Sequence, residues 1–116
     1  MLLVDDDELG RIMLKAFLDR AKMIVTTANN GSEAVAATLT ERFDMILMDM
    51  QMPVMDGVSA TMEIRKRPSE SALPIICISA NVLHEGRDLC AQAGINDFVY
   101  KPIDIDALWS VLLRWT

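Results

Sequence analysis

The stretch Met45-Ile46-Leu47-Met48-Asp49-Met50-Gln51-Met52-Pro53-Val54-Met55-Asp56-Gly57 decides the reading of this chain. Its first four residues are a short apolar run, which predicts a strand covered on both faces, and a single carboxylate, Asp49, closes that run. Pro53 and Gly57 then force a loop before the next helical pattern begins. Strand, acid, loop and helix in that order form the core of a βα unit, and they are expected to leave Asp49 exposed at the carboxyl end of its strand.

Outward from this stretch the same alternation repeats. Met1 to Val4, Met23 to Thr27, Met45 to Met48, Ile75 to Ser79 and Phe98 to Tyr100 read as strands. Leu9, Ile12, Met13, Ala16 and Phe17 form one face of a first helix, and Asn30 or Ser32 can cap a second that runs through Leu39. Gly57 opens a third helix towards Lys66, and Pro68 ends it. Val82 to Ala93 reads as a fourth helix closed by Gly94, and Ile105, Leu108, Leu112 and Trp115 stripe a fifth. The pattern predicts an α/β fold, a single (βα)5 doubly wound domain over residues 1–116. Right-handed crossovers place helices on both faces of a five-stranded parallel sheet, and ligands bind at the carboxyl ends of its strands.

The bulk properties agree with one compact domain. The chain has 116 residues, 52% hydrophobic and 24% charged, enough for one core and unlike a disordered chain. A formal net charge of -6 with scattered Lys and Arg disfavours direct binding of nucleic acid. No apolar run approaches the ~20 residues that span a bilayer, so no membrane insertion and a cytoplasmic location are expected, with an anchor in a parent protein left open. Cys77 and Cys90 lack metal-ligand spacing and read as reduced, half-buried fillers, and the methionines as adaptable packing.

The unusual polar residues fall together at the predicted carboxyl ends: Asp5 and Asp6, Asp49, Ser79 and Lys101. Three converging carboxylates repel by roughly 3 kcal/mol per pair at ~5 Å and an effective dielectric of about 20. Mg²⁺ suits such a site, since it prefers oxygen ligands and works with one or two carboxylates plus a phosphate. Capping of the first helix is the other reading of the acidic run and suits Asp7. It leaves Asp5 and Asp6 buried without compensation. A carboxylate at position 49 could attack phosphorus if a metal and Lys101 neutralise the incoming oxygens. Ser79 could bind a phosphoryl oxygen or cap a helix. Pro102 restricts Lys101 and could aim it inward, though a solvated Lys at a strand end stays open.

These residues resemble the receiver (response-regulator) family over essentially the whole chain. Leu3-Val4-Asp5-Asp6-Asp7 looks like the family's first-strand acids, and the quoted stretch around Asp49 like its phosphoacceptor loop. Ser79-Ala80 resembles its switch hydroxyl and Lys101-Pro102 its lysine. The resemblance implies strand order 2-1-3-4-5 in a flavodoxin-like sheet. It implies Asp49 as phosphoacceptor, assisted by Lys101 and Ser79, with Mg²⁺ on Asp6, Asp49 and the Gln51 backbone carbonyl and Asp5 acting through water. Phe98, three before Lys101, matches the switch aromatic that follows the Ser79 hydroxyl, with an ordinary core Phe left open. Such a domain catalyses only its own phosphorylation and dephosphorylation.

Met48 to Gly57, Ala80-Asn81, Ala93 to Phe98 and Leu112 to Trp115 look most like receivers of hybrid sensor histidine kinases. That likeness implies two-component or phosphorelay signalling, with a histidine kinase or a histidine phosphotransfer domain as partner. His84 reads as a surface residue and not as a phosphate carrier. A flavin or nucleotide binder would need a phosphate cradle where Asp5 to Asp7 stand, and a dehalogenase-type phosphatase would need Asp where Gln51 stands. A receiver-like interaction module that is never phosphorylated remains as the alternative.

Overall fold

A computed structural model of the chain describes residues 1–50, 57–79, 91–100 and 103–115. Five strands, β1 (Leu2–Val4), β2 (Thr26–Ala28), β3 (Ile46–Asp49), β4 (Ile75–Ser79) and β5 (Asp97–Tyr100), form one sheet in the order β2-β1-β3-β4-β5. Every pairing is parallel. The helices are α1 (Glu8–Arg20), α2 (Gly31–Thr40), α3 (Gly57–Arg65) and a C-terminal helix (Ile105–Arg114). Most of the helix expected over Val82 to Ala93 lies outside the described residues, whose helical stretch at 91–93 ends at Gly94 with φ 105°.

The sheet divides the core into two halves, as strand alternation requires. Leu2, Val4, Ile46, Met48, Ile75 and Cys77 meet α2 and α3 on one face, while Leu3, Leu47, Ile76, Ile78 and Val99 meet α1 and the C-terminal helix on the other. The strand residues from Leu2 to Val4, Ile46 to Met48 and Ile75 to Ile78 are all fully buried. This explains why these strands read as unbroken apolar runs and not as alternating ones.

Local chemistry sets the ends of the elements. The Asn30 side chain accepts the Glu33 N–H at 2.8 Å, so Asn30 and not Ser32 caps α2, and Glu33 reaches back towards the Asn29 N–H. Asp104 accepts the Asp106 N–H at 3.0 Å ahead of the C-terminal helix. Pro68, expected to stop α3, starts a short 3₁₀ turn (Pro68–Glu70). The strand expected over Met23 to Thr27 is shifted to Thr26–Ala28, because its partner β1 offers a ladder only from Leu2, which pairs with Thr26.

The expected face of α1 is corrected. Leu14 and Leu18 point into the core with Phe17 half-buried, whereas Leu9, Ile12 and Met13 are 66%, 56% and 64% exposed. The apolar residues of this helix span more than one face, and packing against Leu3 and Leu47 selects the side that carries Leu14 and Leu18. In the C-terminal helix Leu108, Val111 and Leu112 are buried, while Ile105 is 46% exposed.

At the amino end of β5, Asp97 Oδ2 accepts hydrogen bonds from Arg114 Nη1 at 2.6 Å and Trp115 Nε1 at 2.9 Å, which tie the end of the last helix to the edge strand. Burial raises the Asp97 pKa, but these hydrogen bonds, the Phe98 N–H and the Arg114 charge outweigh it and hold the carboxyl below its ordinary value.

Candidate active site at the carboxyl ends of β1 and β3

Parallel strands deliver the residues at their carboxyl ends to one edge of the sheet. β1 runs directly into Asp5 and Asp6, and β3 ends on Asp49, with Val4 and Met48 side by side in the ladder. One carboxylate oxygen from each of Asp5, Asp6 and Asp49 lies within 4.8 Å of the others. Sequence reasoning expected this convergence.

Asp49 is only 3% exposed, which corrects the expectation of an exposed side chain. β3 is central, between β1 and β4, and Asp5, itself 5% exposed, stands beside it, so the carboxylate lies at the base of the site. Asp6 is exposed at the rim. The three acids thus differ in solvation, with two held in the protein and one facing water.

The β1–α1 turn is built around Asp5. Its Oδ1 accepts the Asp7 N–H at 2.9 Å, and its backbone carbonyl accepts Arg11 Nη1 at 2.8 Å from the first turn of α1. Asp7 occupies the N-cap position of α1, but its side chain makes no capping bond, contrary to the capping role expected of it. The carboxylate leans over Gly10 instead, where an added Cβ would come within 3.0 Å of Asp7 Oδ2 and 3.6 Å of Asp5 Oδ2. Neither Arg11 nor Gly10 was legible as part of the site, since a contact across six residues and a glycine inside a helix carry no motif.

Gly57 was legible as a turn residue but not in its second role. A Cβ there would stand 2.8 Å from the Asp49 carbonyl oxygen and 2.7 Å from Met50 Sδ, so only glycine lets α3 begin this close to the site. The Gly57 N–H donates to the Met50 carbonyl at 3.4 Å.

Ser79 is the last residue of β4 and pairs with Tyr100, while Asp49 pairs with Ile78. Phe98 is half-buried against the core half formed with α2 and α3. Gln51, His84, Cys90 and Lys101 lie outside the described residues. Among the described residues, no helix is long and apolar enough to cross a membrane.

The donor set fits a hard divalent cation. One oxygen from each acid lies within 4.8 Å of the other two, close enough for one ion to be shared. All three are hard oxygen donors, and a dication would relieve their mutual repulsion.

The response regulator receiver domain family model matches residues 1–113. The chain is a receiver domain. Its relatives include the sensor histidine kinase GacS of Pseudomonas protegens, 35% identical over all of this chain and 13% of that protein. Hybrid signal transduction histidine kinase E of Dictyostelium discoideum is 39% identical over 98% of this chain and 7% of that protein. The chain therefore spans a small fraction of the kinases it matches. Among solved structures, chemotaxis protein CheY4 of Vibrio cholerae superposes with a TM-score of 0.94 at 30% identity, covering 99% of this chain and 96% of that one. The receiver domain of sensor histidine kinase PA1611 from Pseudomonas aeruginosa has a TM-score of 0.90 at 40% identity, covering 98% of this chain and 93% of that one. That structure has a magnesium ion coordinated in its active-site cleft. This receiver domain is thus a two-component signalling module similar to those of hybrid histidine kinases.

Proposed function

We propose that this receiver takes a phosphoryl group from phosphohistidine onto Asp49, with Mg²⁺ held by Asp6, Asp49 and the Gln51 backbone carbonyl and with Asp5 acting through water. The observation that carries the reading is the meeting of Asp5, Asp6 and Asp49 within 4.8 Å, with Asp49 buried at the base. An Asp49 carboxylate oxygen attacks phosphorus, a P–O bond forms, the P–N bond to the donor imidazole breaks, and the imidazole leaves with the electron pair. When bound, the metal supplies positive charge to the phosphoryl oxygens. Lys101 contributes a fixed positive charge on the same oxygens, and the Ser79 hydroxyl donates a hydrogen bond to one of them. Hydrolysis reverses the modification when water attacks the acyl phosphate. Both steps belong to the domain's own turnover.

The partner that delivers or removes the group docks on α1. A groove of about 420 Å³ runs from Asp5, Asp7 and Gly10 to Met13, Phe17, Ile103 and Ile105. Leu9, Ile12 and Met13 lie exposed on the same helix. A helical phosphotransfer domain or kinase with an apolar strip beside its histidine would cover this face and bring the imidazole to Asp49.

Incubation with acetyl phosphate and Mg²⁺, then intact-mass and peptide analysis, tests the assignment. Wild type should gain one phosphoryl group on the peptide containing Asp49, and EDTA or Asp49→Asn should abolish the gain. Normal labelling of Asp49→Asn, with the group on Asp56 or elsewhere, would overturn it. Loss of label only to water when phosphorylated domain meets histidine phosphotransfer proteins would refute the relay role and leave the phosphoacceptor intact.

A further inference from the structure

Tyr100 stands at a junction that the proposed chemistry does not use. It pairs with Ser79 in the β4–β5 ladder, and it directly precedes Lys101. Strand alternation puts its ring on the same side of β5 as Phe98. The two rings are stacked, with centroids 6.4 Å apart and planes 6° from parallel. Both residues are half-buried, and Val99 between them faces the opposite half of the core. Tyr100 is therefore in register with Ser79 and in ring contact with Phe98, the pair that the receiver resemblance implies as a switch.

We propose that Tyr100 is a positioning residue of the switch, whose ring holds Phe98 in its resting place and so sets how much of the unphosphorylated domain occupies the active conformation. The inference rests on the reading of Ser79 and Phe98 as the switch. A switch that carries Phe98 away from Tyr100 gives up the stack, so on this reading the contact favours the resting state. A stacked aromatic pair beyond its buried area is worth about a two- to tenfold change in a two-state equilibrium. The ring does this work and not the hydroxyl, so Phe at position 100 should replace Tyr.

The test uses Tyr100→Val, whose side chain suits a strand but cannot stack, and Tyr100→Phe, which keeps the ring. Amide NMR of each domain is recorded free and with saturating beryllofluoride and Mg²⁺, tracking responding amides outside β4 and β5. In Tyr100→Val the free-state shifts should move towards the saturated positions by a two- to tenfold change in population. Its rate of phosphorylation by acetyl phosphate should rise by a similar factor. Tyr100→Phe should match wild type in both. If Tyr100→Val stays at the wild-type position while its Phe98 still responds to beryllofluoride, this inference falls and the switch stands. If Phe98 fails to respond in wild type, both fall. If Tyr100→Phe behaves like Tyr100→Val, the hydroxyl and not the stack is responsible, and the inference is likewise overturned.

Discussion

Replacing Asp6 by Asn should stabilise the domain without Mg²⁺ and lose most or all of that advantage with it. With the acid oxygens within 4.8 Å of one another, each pair of charges repels by at least about 0.9 kcal/mol at the dielectric of water and at least about 3.5 kcal/mol at an effective value of 20. Asp6 is exposed, so the lower figure applies to its two pairs. Without metal, Asp6→Asn should therefore be more stable than wild type by about 1–2 kcal/mol, or about 4–8 °C in melting temperature. With Mg²⁺ at tenfold its dissociation constant, the wild type should gain about 1.4 kcal/mol by binding linkage. The variant should gain little at the same concentration, so the order of stability closes or reverses. Melting curves in EDTA and across a Mg²⁺ titration read both terms. An Asp6→Asn domain that is no more stable than wild type in EDTA would refute the repulsion argument. One that responds to Mg²⁺ like wild type would refute Asp6 as a ligand.

Individual contacts set the other expectations. Gly57→Ala should lose about 1–3 kcal/mol in urea unfolding and phosphorylate more slowly, because the new Cβ meets the Asp49 carbonyl oxygen at 2.8 Å. Asn30→Ala should cost about 1 kcal/mol in the same assay through loss of the α2 cap. The Asp97 carboxyl is held below its ordinary value of 3.8, so in acid the unfolded chain takes up the proton first and stability falls with pH. The stability advantage of wild type over Asp97→Asn should be constant above the ordinary value and shrink as pH drops below it, as melting temperatures across an acid series will show. Met13→Glu should slow phosphoryl exchange with a histidine phosphotransfer partner at least tenfold while leaving labelling by acetyl phosphate unchanged. Equal loss with both donors would argue against docking on α1.

The sheet and the acid cluster were legible because their causes are local and periodic. A strand buried on both faces has to read as an apolar run, and a parallel sheet has to gather the residues at the carboxyl ends of β1 and β3 on one edge. That logic placed Asp5, Asp6 and Asp49 on one edge, and the receiver resemblance supplied the strand order that sets β1 beside β3. The burial of Asp49 was not legible, since it depends on which neighbours flank β3. The exposed face of α1 was not legible either, because periodicity identifies a set of apolar residues while packing chooses which of them the core takes. Arg11 on the Asp5 carbonyl belongs to the same class, as a contact that leaves no spacing rule behind.

The amino ends of the strands form a second edge, remote from the acids. There Met1, Met23, Ile24, Met45 and Trp115 line one cavity, so the first residue and the end of the last helix are neighbours. The Met1 amine donates to the Ile24 carbonyl at 2.9 Å, a bond that an ordinary peptide N–H at the same place could also make. Any polypeptide joined at either end would therefore leave from one side of the molecule, with the acidic edge on the other. In engineering terms the domain has the geometry of a cartridge. Spliced into a surface loop of a reporter enzyme through these neighbouring ends, it would present the edge that carries Asp5, Asp6 and Asp49 away from its host.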